Sequence, residues 1–114
     1  MSERDQKLFL EDILEAIERI EEYTDSMDYE DFLEDRKTVD AILKNLENIG
    51  EAVKNLSEDI KEDHQEVHWK KIAGMRDKLI HGYFGVNPQI VWETVQTRIP
   101  ELKIHIKKIL SEIN

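Results

Sequence analysis

Between Val39 and Leu56 the apolar residues Val39, Ile42, Leu46, Ile49, Val53 and Leu56 recur at spacings of 3, 4, 3, 4 and 3. A strand would scatter this set over both faces, whereas a helix gathers it into one stripe. The stripe is the seam of a helix laid nearly parallel or antiparallel to a neighbour, and it predicts a helix over about residues 36–56. One such helix cannot bury its own seam. The rest of the chain has to supply partners of the same kind.

Phe9, Ile13, Ile17 and Ile20, with Leu10 and Leu14 beside them, mark a helix over about residues 3–23, with Ser2 as N-cap and Glu3 and Asp5 in its first turn. Residues 24–35 are acidic and predict a turn plus a short helical entry anchored by Tyr29, Phe32 and Leu33. Residues 57–68, SEDIKEDHQEVH, are polar and predict a connection. Trp69, Ile72, Ala73, Met75, Leu79 and Ile80 then mark a helix that ends near Gly82. Asn87 and Pro88 form an N-cap and N1 pair for a helix bearing Ile90, Val91, Trp92 and Val95, and Pro100 opens a last helix with Leu102, Ile106, Ile109 and Ile113. No strand pattern competes. The expected fold is all-α, an up-and-down four-helix bundle with an additional short helix, in a single domain over residues 1–114. Gly50 interrupts the seam helix at a cost of about 1 kcal/mol against Ala, which leaves a close backbone approach, a ligand or a tolerated exception as explanations.

Composition narrows the chemistry. The 114 residues include no Cys, so thiolate nucleophiles, thiolate metal sites and disulfides are excluded, and the expected compartment is a reducing cytoplasm. No segment approaches the roughly 20 apolar residues of a membrane span, and the first residues lack the uncharged apolar run of a signal peptide. A formal net charge of −10 argues against polyanion binding by the whole surface. The charge is uneven, however. Residues 1–63 hold 8 basic and 21 acidic side chains, and residues 64–114 hold 8 basic and 5 acidic, so an anion is expected to meet the second half.

The predicted helix from Trp69 contains Arg76-Asp77-Lys78-Leu79-Ile80-His81-Gly82-Tyr83. At about 100° per residue, Tyr83 would lie nearly over Arg76, and Asp77 and His81 would share a face, where the carboxylate can hold one imidazole nitrogen. Arg76 and His81 fall about 140° apart, so one copy presents them to two sides of a groove and two copies can bring both pairs together. Spacing alone equally allows a surface ion pair, a turn-packing Tyr and a helix-terminal His.

These residues resemble the Arg, four variable residues, His, any residue, Tyr motif of the HEPN superfamily, and more narrowly the HepT-like toxins of HEPN/MNT toxin-antitoxin pairs. The approach Trp69 to Asp77, the exit His81-Gly-Tyr-Phe-Gly-Val, Ile90-Val-Trp, Arg98-Ile-Pro-Glu-Leu and the helix Val39 to Val53 resemble the same family. The resemblance implies a homodimeric, metal-independent endoribonuclease without cofactor, with both motifs lining one cleft. It implies that His81 moves protons, that Arg76 stabilises charge on the phosphoryl oxygens, and that Asp77 orients the pair. A ribose 2'-hydroxyl attacking its own 3'-phosphodiester suits these groups: an imidazole titrates near ~6.5 and a guanidinium is a fixed planar cation. It further implies that an MNT-type nucleotidyltransferase antitoxin adenylylates Tyr83, placing negative charge in the cleft. Lys70, Lys71 and Lys78 are candidates to extend its cationic lining. The alternative is a HEPN bundle without turnover, serving as a binding or dimerisation module for a nucleotidyltransferase or a nucleotide.

Other signals are weaker. His64 and His68 are four apart, yet His64-Gln-Glu-Val-His68 matches neither zincin signature, so no metal is expected and the segment reads as solvated. His105, among Lys103, Lys107 and Lys108, reads as a surface residue of the last helix. The acidic run Glu21 to Asp35 lacks the ordered ligands and central Gly of a calcium loop.

Overall fold

The computed structural model describes residues 3–81 and 87–113, and everything there is helix, turn or cap. The first helix, α1, spans Glu3–Thr24. Leu10, Ile13, Ala16, Ile17 and Ile20 form its buried stripe, with Phe9 and Leu14 only partly covered at its flanks. The proposed Ser2 cap lies outside the described residues.

The acidic segment that follows is more ordered than its composition suggested. A short α2, Tyr29–Glu34, is closed at its start by a reciprocal capping box between Asp28 and Asp31. Phe32 from this turn is fully buried, with its ring 5.1 Å from that of Trp92. Asp35 then caps α3, Arg36–Asn55, by accepting from the Thr38 amide at 3.1 Å.

Helix α3 is the centre of the bundle. It packs against α1 on one side and against α5, Trp69–His81, on the other. Its predicted seam is buried from Ile42 through Leu56, and Leu43, Ala52 and Asn45 are buried as well because two neighbours cover it. The buried Asn45 amide stays satisfied by donating to the Ala41 carbonyl at 2.9 Å.

Two predicted boundaries change. The polar stretch 57–68 contains a helix of its own, α4, Glu58–Asp63, begun by the Ser57 hydroxyl accepting from the Ile60 amide and helped by Glu58 and Asp59 in the first turn. One partly buried residue, Ile60, is its only apolar anchor, too little for a periodicity to register. The second change concerns Pro100, which does not open a separate helix. The helix α6, Pro88–Glu93, passes through a π-helical turn at Thr94–Arg98 straight into α7, Ile99–Ile113. Across that turn the Ile99 amide bonds the Thr94 carbonyl, five residues back, which shifts the register where Pro100 has no N–H to offer. Helix α7 closes the bundle against α1. The result is four long helical columns, α1, α3, α5 and α6–α7, in an all-α architecture of the HEPN-like kind. Among the described residues no helix is long and apolar enough to cross a membrane.

Candidate active site

Residues 76–81 of the sequence motif lie on the last two turns of α5, with Arg76 at the crossing with α3. Gly50 explains how close the two helices come. A Cβ added there would overlap the Cβ of Arg76 and stand 3.1 Å from the Ile72 carbonyl oxygen. Of the three explanations the sequence left open, the close backbone approach is the one observed.

At this crossing four charges alternate. The Arg76 Nε stands 2.8 Å from a Glu51 carboxylate oxygen, and Arg76 Nη1 donates to Asp77 Oδ1 at 3.1 Å. The same Asp77 oxygen accepts from Lys54 Nζ at 2.8 Å. Glu51 and Lys54 lie about one turn apart on α3, and Arg76 and Asp77 are adjacent on α5. The Arg76 side chain is 29% exposed, against 53% for Glu51 and 47% for Asp77, so the guanidinium is recessed behind its partners. The Lys54 ammonium, and then the Arg76 guanidinium, hold the Asp77 carboxyl below the usual aspartate range.

One detail separates this from a saturated structural pair. Among the described residues the buried Arg76 Nε has no aligned hydrogen-bond acceptor, despite the short distance to Glu51. The contact is charge against charge, with the N–H directed past the oxygen, since alignment is what a hydrogen bond adds to proximity. The guanidinium is thus held without all of its donors being consumed.

Among the described residues the Asp77 carboxylate meets Lys54 and Arg76, and the expected pairing of Asp77 with His81 falls on a side chain outside them. The backbone of His81 is the last residue of α5, while its side chain and all of Tyr83 and Gly82 lie outside the described residues. The three lysines border two grooves of the chain. Lys70 faces the groove beside α4, whereas Lys78 faces a different groove between α5 and α7, and Lys71 stands at the rim of both. The α5–α7 groove, about 280 Å³, has Ile49 as its floor, Ile72 and Met75 as one wall, and Ile99 and Leu102 as the other.

His64 and His105 are less solvated than their neighbours in sequence suggested, whereas His68 is exposed. His64 is buried, its Nδ1 3.5 Å from Glu66 and its Nε2 3.2 Å from Glu112, and its carbonyl accepts from the Trp69 indole at 2.9 Å. His105 is partly covered, with Nδ1 3.8 Å from the same Glu66 oxygen. This cluster ties the α4–α5 connection to α7. Among the described residues no group of His, Asp and Glu is arranged to hold a metal ion.

A helical bundle that holds an arginine by carboxylates at the end of a tight helix crossing, with a histidine five residues on at the helix terminus, is of the HEPN type. The chain matches the family described as Ribonuclease HepT-like over residues 13–109, and it belongs to that family. It is 52% identical over 106 residues, 93% of this chain and 96% of the other, to a protein of Thermococcus cleftensis named "Probable ribonuclease HepT". It is 50% identical to a provisionally named RNase of Caldanaerobacter subterraneus subsp. tengcongensis, covering 91% of this chain and 93% of that one. A provisionally named RNase of Methanocaldococcus jannaschii is 47% identical over 99% of this chain and 93% of its own length. No solved structure matches.

Proposed function

We propose that this protein is a metal-independent endoribonuclease toxin that cleaves RNA by attack of a ribose 2'-hydroxyl on the adjacent phosphodiester. The observation that carries the reading is Arg76: a recessed but still partly exposed guanidinium, held at Nε by Glu51 and at Nη1 by Asp77, in a chain that belongs to a ribonuclease family. In this mechanism Arg76 stabilises the extra negative charge of the phosphorane, and His81 transfers protons to and from the attacking and leaving oxygens. Asp77 orients Arg76, with Lys54 holding the carboxylate from the other side. Two copies face each other as a homodimer, so that both motifs line one cleft. Lys70, Lys71 and Lys78 add positive charge around it, Lys71 and Lys78 beside the α5–α7 groove and Lys70 toward α4. A nucleotidyltransferase antitoxin adenylylates Tyr83 and so fills the cleft with anionic groups that repel RNA.

The test is an RNA-end assay on purified protein in the presence of a chelator. The expected products carry a 2',3'-cyclic phosphate and a 5'-hydroxyl, and exclusively 5'-phosphate and 3'-hydroxyl ends would contradict the mechanism. Tyr83→Phe is expected to resist modification by the cognate antitoxin, and ordinary mass addition to that variant would remove Tyr83 from the scheme. A second reading is favoured by one observation, that Arg76 already has two carboxylate neighbours: the bundle then serves as a binding module in which Arg76 only braces α3 against α5. Growth arrest on expression separates the two. Toxicity in the wild type that is lost in Arg76→Ala and His81→Ala supports the nuclease, and equal or absent toxicity supports the module.

A further inference from the structure

We propose that Glu51 is a positioning residue that sets the Arg76 guanidinium in place for the phosphodiester; the inference rests on the ribonuclease reading and deepens it. Within the α5 motif Asp77 holds Arg76 at Nη1 alone, whereas an Arg side chain rotates about several bonds and carries about 2 kcal/mol of rotamer entropy when free. Here that freedom is removed from α3. Gly50 lets the α3 backbone come against the Cβ and Cα of Arg76, and the next residue, Glu51, places its carboxylate 2.8 Å from Nε. Lys54 reaches Asp77 Oδ1, the oxygen that also accepts from Arg76 Nη1. The guanidinium is thereby fixed at Nε from one helix and at Nη1 through a carboxylate that the same helix anchors.

Two features favour positioning over a simple brace between helices. The pair is partly exposed at the surface where the motif emerges, so it contributes little to stability. Among the described residues the Nε hydrogen lacks an aligned acceptor, so Glu51 restrains the cation by charge at short range. The carboxylate also has a cost for substrate, since a negative charge beside the guanidinium opposes an approaching phosphate. Glu51 is therefore expected to raise kcat at the expense of ground-state RNA affinity.

The experiment is steady-state and single-turnover cleavage of one RNA oligonucleotide by the full chain and its Glu51→Ala, Glu51→Gln and Arg76→Ala variants. Glu51→Ala is expected to lower kcat by about 10–100-fold, the effect of a slightly misplaced catalytic group, with KM unchanged or reduced. Glu51→Gln keeps an oxygen that can face Nε and removes the charge, so it should restore kcat to within a few fold while KM falls. Wild-type kcat in Glu51→Ala overturns the proposal, as does a kcat loss that Gln does not rescue. Should the Ala variant fold poorly, the Gln variant still decides through KM: an unchanged or raised value counts against the proposal. Arg76→Ala separates the two levels. If it cleaves normally, the assignment of Arg76 fails and the Glu51 role with it; if it is inactive while Glu51→Ala cleaves normally, only the Glu51 role fails.

Discussion

At Arg76 and His81 a truncation to Ala removes, in the proposed mechanism, the charge stabiliser and the proton carrier. Each is expected to lower RNA cleavage by about 10²–10³-fold, measured on protein whose circular dichroism matches the wild type. Asp77 gives a test that needs no substrate. Its carboxyl is held below the usual range by Lys54 and Arg76, so its contribution to stability is present above the unfolded-state value of about 3.9 and disappears as pH falls through the folded value. The thermal midpoint of wild type should therefore exceed that of Asp77→Asn near neutral pH, and the gap should close on acidification below about pH 4. A gap that stays constant down to pH 2 would reject the ion pairs as its source. The side chains on α5 could be singled out from sequence because they are close together in the chain. Lys54 and Glu51 could not: Lys54 meets Asp77 across 23 positions, and the only local hint was the glycine next to Glu51.

Two glycines, at the α3–α5 crossing and on α5 itself, should respond oppositely to the same substitution. Gly50→Ala recovers about 1 kcal/mol of helix propensity but forces a Cβ into that of Arg76, and overpacking of this kind costs about 1–3 kcal/mol. It is expected to lower stability in urea denaturation and to reduce cleavage by displacing Arg76. Gly74 has nothing within 4 Å of the corresponding position among the described residues, so Gly74→Ala should stabilise the isolated chain by up to about 1 kcal/mol. Similar shifts in both variants would mean that the helix crossing is looser than described. Helix α2 offers a further check, since its six residues hold their place through buried Phe32. Phe32→Ala should cost about 3–5 kcal/mol in the same denaturation experiment, and a change below 1 kcal/mol would show that α2 is dispensable to the core. Periodicity located the long helices because each has a broad apolar stripe. It missed α4, where capping outweighs burial, and misread Pro100, because a π turn can absorb a missing N–H that a regular helix could not.

For the whole molecule, the predicted dimer is tested by sedimentation at micromolar concentrations, where a homodimer that fails to dissociate on moderate dilution is expected and a persistent monomer would remove the composite cleft. The distribution of charge also becomes spatial at this scale. The acidic excess of residues 1–63 is carried by α1 to α4, and the face proposed to meet RNA belongs to α5, with Lys78 toward α7 and Lys70 toward α4. Lys71 and Lys78, seven residues apart, fall on one side of α5 and border the same groove, while Lys70 is turned about 100° from Lys71 toward α4. RNA affinity should accordingly fall with salt, and less steeply than for a protein of net positive charge.

What the amino-acid order determined alone is whatever repeats along one helix: the stripes that specify an all-α bundle, and the Arg76 to His81 spacing on which the proposed active element α5 rests. The tertiary structure decided what depends on two helices meeting. It set the close approach at Gly50, the hold of Glu51 and Lys54 on Arg76 and Asp77, and the burial of His64 against Glu66 and Glu112. The reason is physical. Helical periodicity is a local property of successive residues, whereas an ion pair between helices depends on the rotation and separation of each about the other, which only the packed core fixes.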